Sequence, residues 1–272
     1  MNCPHCQSKT IYCRLGTTVL GYKHYQCCDC QKRFNERTGT PYNFLQYPTD
    51  IALLILFHYL RYPVSYEHVA EMFWLRGFQL CAETIRQWVL SFGTFLAKKL
   101  RKKRYGKAGN SWYIDETYVK INGVHYYLYR ARDKQGELID VYLSATRDKA
   151  SAMKFFESAI AVVGHKPDRV TTDKNPSCPD VIKQVLGDEV KHHTNKYLNN
   201  RMEQDHRYFK SKYKPMKAFK DFFCALKFCY SFEEVRNFMR LGNTPQSKIN
   251  STDKHRMILS KFQSLEKIFA VC

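Results

Sequence analysis

The sequence predicts an α/β protein, a mixed sheet flanked by helices and preceded by a small cysteine-rich ribbon and a helical region. Three observations lead there. Two C-x2-C pairs open the chain, Cys3/Cys6 in "CPHC" and Cys27/Cys30 in "CCDC". From Pro48 to Arg104 apolar residues recur at helical spacing without strand alternation. From Ser111 onward aromatic and β-branched runs give way to alternating strand and helix patterns, the order that builds a sheet with helices on its faces.

Bulk composition narrows the partners. A chain of 272 residues, 44% hydrophobic and 15% aromatic, can bury a core and hold one large domain or several small ones. Its formal charge of +19 fits a polyanionic partner, nucleic acid ahead of an anionic membrane surface. The longest apolar run, "IALLILFHYL" from Ile51 to Leu60, is too short to span a bilayer, so no membrane is expected. "MNCPHC" has neither the basic nor the apolar stretch of a secretory signal. The eleven cysteines are therefore expected in a reducing cytoplasm, where paired cysteines bind metal more often than they form disulfides.

The two cysteine knuckles, twenty residues apart, have the spacing of a four-thiolate zinc ribbon over residues 1–40. Each knuckle presents two sulfurs, and Cys3, Cys6, Cys27 and Cys30 together close a tetrahedral Zn²⁺ shell. Between them, "YCRLGTTVLGYKHYQC" has strand-like residues around Gly16 and Gly21, as a hairpin needs. Cys28 is an alternative to Cys27, although Cys27 keeps the C-x2-C spacing, and Cys13 is ambiguous; His5 and His24 read as bystanders. A closed sulfur shell makes this zinc structural. Free cysteines would explain neither the doubled spacing nor a segment too small to build its own core.

Residues 44–104 read as a helix-turn-helix region. One helix runs from Ile51 to Arg61 and stops before Pro63. Ser65 caps a second, "YEHVAEMFWLRG", which Gly77 ends, and a third starts at Ala82. Thr84, Arg86 and Gln87 stand near the start of that third helix, where a recognition helix meets DNA. Arg86 and Gln87 suit base edges, while the run Lys98 to Lys107 suits phosphates without reading sequence. The competing reading is an ordinary helical packing unit.

The remaining pattern places three acids. "SWYIDETYVKI" and "VHYYLYRARD" form a hairpin around Asn122-Gly123, and "DKQG" turns the chain into "ELIDVYLSA". The helix "RDKASAMKFFESAIAVVG", the strand "DRVTTD", a helix from Pro179 to Leu186, the strand "EVKHH" and a final helix complete the order β-β-β-α-β-α-β-α. Asp115 lies in the first strand, Asp173 ends the fourth and Glu203 sits in the last helix; with the first and fourth strands as neighbours, the three can converge. Such a cluster suits Mg²⁺ or Mn²⁺, two ions about 3.5–4 Å apart stabilising both attacking and leaving oxygens in phosphoryl transfer. Lys210, seven residues after Glu203, lies on the same helical face about 10.5 Å along, placed for a phosphate. Arg201 and Arg207 make a basic edge beside it. Glu116 is the neighbour of Asp115 but points to the opposite face; Asp205 is the alternative to Glu203, and His206 reads as a surface histidine or a substrate contact.

"IDETYVKINGVHYYLYRARDKQGELIDVYLSATRD", "TTDKNP" and "KYLNNRMEQDHRYFK" resemble the catalytic blocks of the insertion-sequence-six family of prokaryotic DDE transposases. "LRYPVSYEHVAEMFWLRG" and "ETIRQWV" resemble that family's helix-turn-helix region, and the likeness covers most of Phe44 to Lys220. The resemblance implies a ribonuclease H-like catalytic domain over 108–220; the segment after it, 221–272, reads as helical from "DFFCALKFCYSFEEVRNFMRLGN" and resembles the family only loosely. The resemblance implies a triad falling on Asp115, Asp173 and Glu203, with Lys210 the basic residue that follows it. It also implies Mg²⁺-dependent cutting at terminal inverted repeats, attack of the freed 3′-hydroxyl on target DNA, a homodimer or higher assembly, and a place with the nucleoid in the cytoplasm. Twenty-nine residues separate Asp173 from Glu203, a few fewer than the family usually has, the shortening falling around "VLGDEVKHH". The rival functions are a non-catalytic DNA-binding protein, an inactive transposase copy and a metal-dependent nuclease of the same fold.

Overall fold

A computed structural model describes residues 1–172, 178–194, 200–216, 218–241 and 249–270. The first strands, β1 (Ile11–Thr17), β2 (Lys23–Cys27) and β3 (Arg33–Asn35), form a small antiparallel sheet in that order. The β1–β2 register slips between Cys13 and Thr17, where Gly16 takes φ +89° at no steric cost. The ribbon's buried cluster is Cys3, Cys27 and Phe34, too little apolar surface to hold three strands by itself. Arg37 ties the ribbon to the segment leading into the helices. Its buried guanidinium donates to the carbonyls of Tyr42, Leu45 (2.6 Å) and Tyr47 (3.3 Å).

Three helices come next: α1 (Thr49–Arg61), α2 (Tyr66–Trp74) and α3 (Ala82–Lys102). Ser65 caps α2 as expected, its hydroxyl accepting from the His68 amide at 3.1 Å while the His68 ring accepts from the Ser65 amide. Gly77 comes after α2 at φ +85°, a left-handed turn that a side chain would strain. α1 is apolar nearly all round, with Leu53, Ile55, Leu56, Tyr59 and Leu60 buried, which is the pattern of a helix covered on most sides.

The large sheet contains β4 (Ser111–Ile121), β5 (Val124–Asp133), β6 (Leu138–Ser144), β7 (Arg169–Thr172) and β8 (Lys191–Thr194). Between and after these strands lie α4 (Lys149–Val163), α5 (Cys178–Leu186), α6 (Asn200–Tyr213), α7 (Phe222–Phe238) and α8 (Ser251–Ala270). Asn122 (φ +46°) and Gly123 (φ +82°) turn the β4–β5 hairpin, both with the positive φ that a two-residue primed turn requires. The strand order is β6-β5-β4-β7-β8, antiparallel among the first three and parallel from β4 to β7 to β8. This is the ribonuclease H-like mixed sheet, with the first and fourth of its strands side by side. The last strand begins two residues later than "EVKHH" suggested, and α5 one residue earlier than Pro179.

The sheet divides two cores. On one face Trp112, Ile114 and Val170 pack with Phe155, Phe156, Val181 and Ile182 of α4 and α5. On the other, Val119, Ile121 and Leu128 join Leu56, Phe92, Phe228 and Phe232 from α1, α3 and α7. Each fully buried side chain of this size contributes about 1.5–3 kcal/mol. Two ion pairs fasten the end of α3 and the turn after it to the sheet and α7: Arg101 to Asp140 at 2.5 Å and Arg104 to Glu234 at 2.6 Å. Among the described residues, no helix is long and apolar enough to cross a membrane.

Candidate active site

Strand alternation decides which way Asp115 points. Trp112 and Ile114 enter the α4 core, whereas Val119 and Ile121 enter the α7 core, so Asp115 faces the same side as α6 and α7. One carboxylate oxygen accepts from the Glu116 amide at 2.8 Å. Glu116 itself points to the opposite face and binds Arg147 at 2.5 Å, which leaves Asp115 as the acid on this side. Parallel β7 runs beside β4 with Tyr113 paired to Thr171; Asp115 and Asp173 each lie two residues beyond these partners. Asp173 lies outside the described residues.

α6 crosses this face of the sheet. Phe209 is buried in the α7 core, and the Tyr213 hydroxyl accepts from the Lys120 amide at 2.8 Å while donating to the Lys120 carbonyl at 3.0 Å. Glu203 and Arg201 stand on α6, where the helical backbone is described and their side chains are not. Arg207 and Lys210 are exposed on the outer face, away from Phe209 and Tyr213.

α6 is held from a third direction. Lys212 is buried against the end of α1, donating to the carbonyls of Tyr62 (3.0 Å) and Val64 (2.9 Å), and the Tyr208 hydroxyl donates to the Arg61 carbonyl at 2.7 Å. The Arg61 carbonyl is among those a helix end leaves without an intrahelical partner. Burial pushes the Lys212 ammonium down to about 7. The carbonyls and the Tyr59 ring, 3.5 Å away, work in the other direction by favouring the charge.

Beneath Asp115 lies a charged layer that sequence reading missed. Arg130 pairs with Asp115 in the β4–β5 register and is fully buried. It donates to Glu233 of α7 at 2.9 Å, and Arg132 donates to the second oxygen of Glu233 at 2.6 Å. The Arg130 guanidinium also lies 5.5 Å from the Phe209 ring of α6. One arginine thus joins the strand of Asp115, the helix of Glu203 and α7. The signal was present: Arg130 and Arg132 interrupt an aromatic strand at alternate positions, and Glu233-Glu234 interrupts the apolar run "FCYSFEEV". Charges retained in such places need partners. On β7, Thr172 bonds His192 of β8 at 2.8 Å, and burial lowers the His192 imidazole below its ordinary value.

The zinc candidates do come together. Cys3 and Cys30 sulfurs lie 3.6 Å apart, Cys6 and Cys27 sulfurs 3.5 Å apart, and all four fall within 4.8 Å of one another. A tetrahedral shell with Zn–S near 2.3 Å has sulfurs about 3.8 Å apart, so the donor set fits. Backbone amides of Cys30 and Asp29 draw the Cys27 thiol down to about 7, favouring the ligating thiolate. Cys13 and Cys28 are exposed outside this cluster.

At the start of α3 the expected base readers are engaged locally. Arg86 Nε and Nη2 both donate to Glu83 at 2.7 Å, Gln87 donates to the same carboxylate at 3.1 Å, and Thr84 lies 3.2 Å from the Cys81 sulfur. The Arg86 bonds hold Glu83 at about 2, well below the usual carboxylate range.

A family model described as a DDE domain matches residues 109–241. In Staphylococcus aureus, a transposase for the insertion sequence-like element IS431mec is 38% identical over 173 residues, 62% of this chain and 76% of the relative. The chain belongs to the insertion-sequence-six family of DDE transposases. A second S. aureus relative, the transposase for IS257 in transposon Tn4003, shows the same identity and coverage. Among solved structures, the HTLV-2 integrase catalytic core in complex with magnesium overlaps 55% of the transposase and 99% of itself, with TM-score 0.38 and 17% identity. The transposase is an enzyme of DNA phosphoryl transfer. Its family implies dependence on a divalent metal, and its four clustered thiols are compatible with structural zinc.

Proposed function

We propose that Asp115, Asp173 and Glu203 form the acidic triad of this transposase, and that it cuts the terminal inverted repeats of its element and joins them to target DNA. The observation that carries the reading is Asp115: it faces α6 from the central strand, beside parallel β7, whose last residue, Thr172, immediately precedes Asp173. Three carboxylates supply hard oxygen donors and leave coordination positions for phosphate and water. Two Mg²⁺ or Mn²⁺ ions, when bound, would stabilise the attacking and leaving oxygens. In the first step water attacks a phosphodiester and the element's 3′-oxygen leaves as a hydroxyl. In the second that hydroxyl attacks a target phosphodiester, whose own 3′-oxygen leaves. Lys210 holds a phosphate from the exposed face of α6, with Arg207 one turn before it and Arg201 as a further basic residue of the helix. Arg130 supports Asp115 from below.

Around this centre we read a zinc ribbon (1–40), a helix-turn-helix region (44–104), the catalytic domain (108–220) and a C-terminal helical segment (221–272). Thr84, Arg86 and Gln87 meet the terminal repeat, DNA replacing Glu83 as the partner of Arg86 and Gln87 and Cys81 as that of Thr84. Two ends must be held together for joining, so the active species is a dimer or higher.

Strand transfer on end-bearing DNA with Mg²⁺ tests the assignment. Wild-type protein should both cut and join, and Asp115→Asn should lower both rates by at least about a thousandfold, on the scale of losing a group that acts only in the transition state. Undiminished activity in Asp115→Asn would remove the triad. Cutting without joining by the wild type would favour a nuclease.

A further inference from the structure

Lys98, Arg101 and Lys102 stand at i, i+3 and i+4, a single stripe along the end of α3, and Tyr105 follows in the turn after the helix. The stripe faces Ser158 and Ala161 of α4 across a cavity of about 550 Å³, with Tyr230 of α7 also in its wall. Small side chains on α4 keep the space open. Its floor is fixed: Arg101 donates to the two Asp140 oxygens at 2.5 and 3.1 Å and to the Ser158 hydroxyl at 3.0 Å, with its guanidinium 5.4 Å from the Tyr230 ring. The rim is charged. Lys98 and Lys102 are exposed, and among the described residues neither has an ion-pair partner. Tyr105 stands beside them, 65% exposed. It is held by the bond from the Gly106 amide to the Val163 carbonyl at 2.9 Å and by its contact with Gly164, where a Cβ would meet the ring at 2.5 Å.

We propose that this groove binds the sugar–phosphate backbone of the target duplex. Two lysines one helical turn apart are point charges suited to successive phosphates and carry no base readout. The exposed Tyr105 ring, just beyond Lys102, offers an apolar face to a backbone sugar. The choice of target over element end comes from length. Lys102 lies sixteen residues beyond Arg86, about 24 Å along α3, so a duplex read at the first turn of the helix is remote from the groove. That choice rests on the reading of Thr84, Arg86 and Gln87 as end-binding residues.

The test uses the full chain, pre-cut terminal-repeat ends and an unrelated duplex as target. In the double variant Lys98→Gln/Lys102→Gln, affinity for the unrelated duplex should fall about tenfold near 0.1 M salt, and the salt slope of log K should shrink by about two. In strand transfer the half-saturating target concentration should rise by a similar factor, more than the saturated rate falls. Tyr105→Leu should weaken unrelated-duplex binding severalfold at an unchanged salt slope, and Tyr105→Phe should restore it. Matching thermal unfolding curves show that each variant is folded. Unaltered duplex affinity and salt slope in the double variant would overturn the proposal. A rise confined to the half-saturating concentration of element ends would also overturn it, giving the groove to the ends. Failure of the underlying reading looks different: Arg86→Ala would leave terminal-repeat affinity unchanged.

Discussion

Asp115 and Glu233 represent two kinds of buried or half-buried acid, and only the first was readable in advance. Asp115 stands in a strand whose alternation can be counted, and its chemistry has a sequence context. Glu233 has meaning only once α7 lies over β5, a packing that no local pattern encodes. Removing it leaves Arg130 and Arg132 buried with a lost counter-charge. Glu233→Gln should therefore lower stability by about 3 kcal/mol, read as a shifted midpoint in urea unfolding. Lys212 makes a prediction in pH. Burial puts it near 7 in the folded protein against an ordinary 10.5, so between those values the unfolded chain binds a proton that the folded chain does not. Stability from this residue should rise as pH increases from about 7 towards 10.5. Urea unfolding at pH 6.5, 8 and 9 should show the rise in wild type and its loss in Lys212→Met.

At the level of elements, the order β-β-β-α-β-α-β-α was legible because the period of apolar residues switches cleanly between two and 3.6. Turns were legible where chemistry forces them, as at Asn122-Gly123 and at Ser65. The Arg86–Glu83 clasp was not, because a residue's capacity to reach a base says nothing about its partner before DNA arrives. The ribbon is an element whose small buried cluster and four thiols predict dependence on a metal. Removing zinc with a strong chelator should unfold β1 to β3 and leave the mixed sheet intact. Amide exchange would then accelerate in residues 11–35 while β4 and β5 stay protected. Equal protection of the ribbon with and without zinc would refute the structural role.

Across the whole molecule, the unforeseen feature is how many segments meet at α6. Its Phe209 enters the core beside α7, Tyr213 clasps β4, and Tyr208 and Lys212 close the end of α1. Sequence spacing indicated a helix with two interesting faces, but the third, buried face makes its position depend on the end of α1. A change at the Lys212 contact therefore reaches the helix of Glu203 without touching any acid of the proposed triad.

The pairing of Glu233 with Arg130 and Arg132 also bears on how the protein comes off the ribosome. Every residue of the expected triad has been translated by position 203, and Lys210 soon after, yet the acid that neutralises the layer under Asp115 arrives only at position 233. A nascent chain halted after α6 carries all the catalytic letters on an unfinished foundation, two arginines without their α7 carboxylate. Competence to cut DNA should thus appear late in synthesis, and a prematurely terminated product that keeps the triad should still be a poor nuclease.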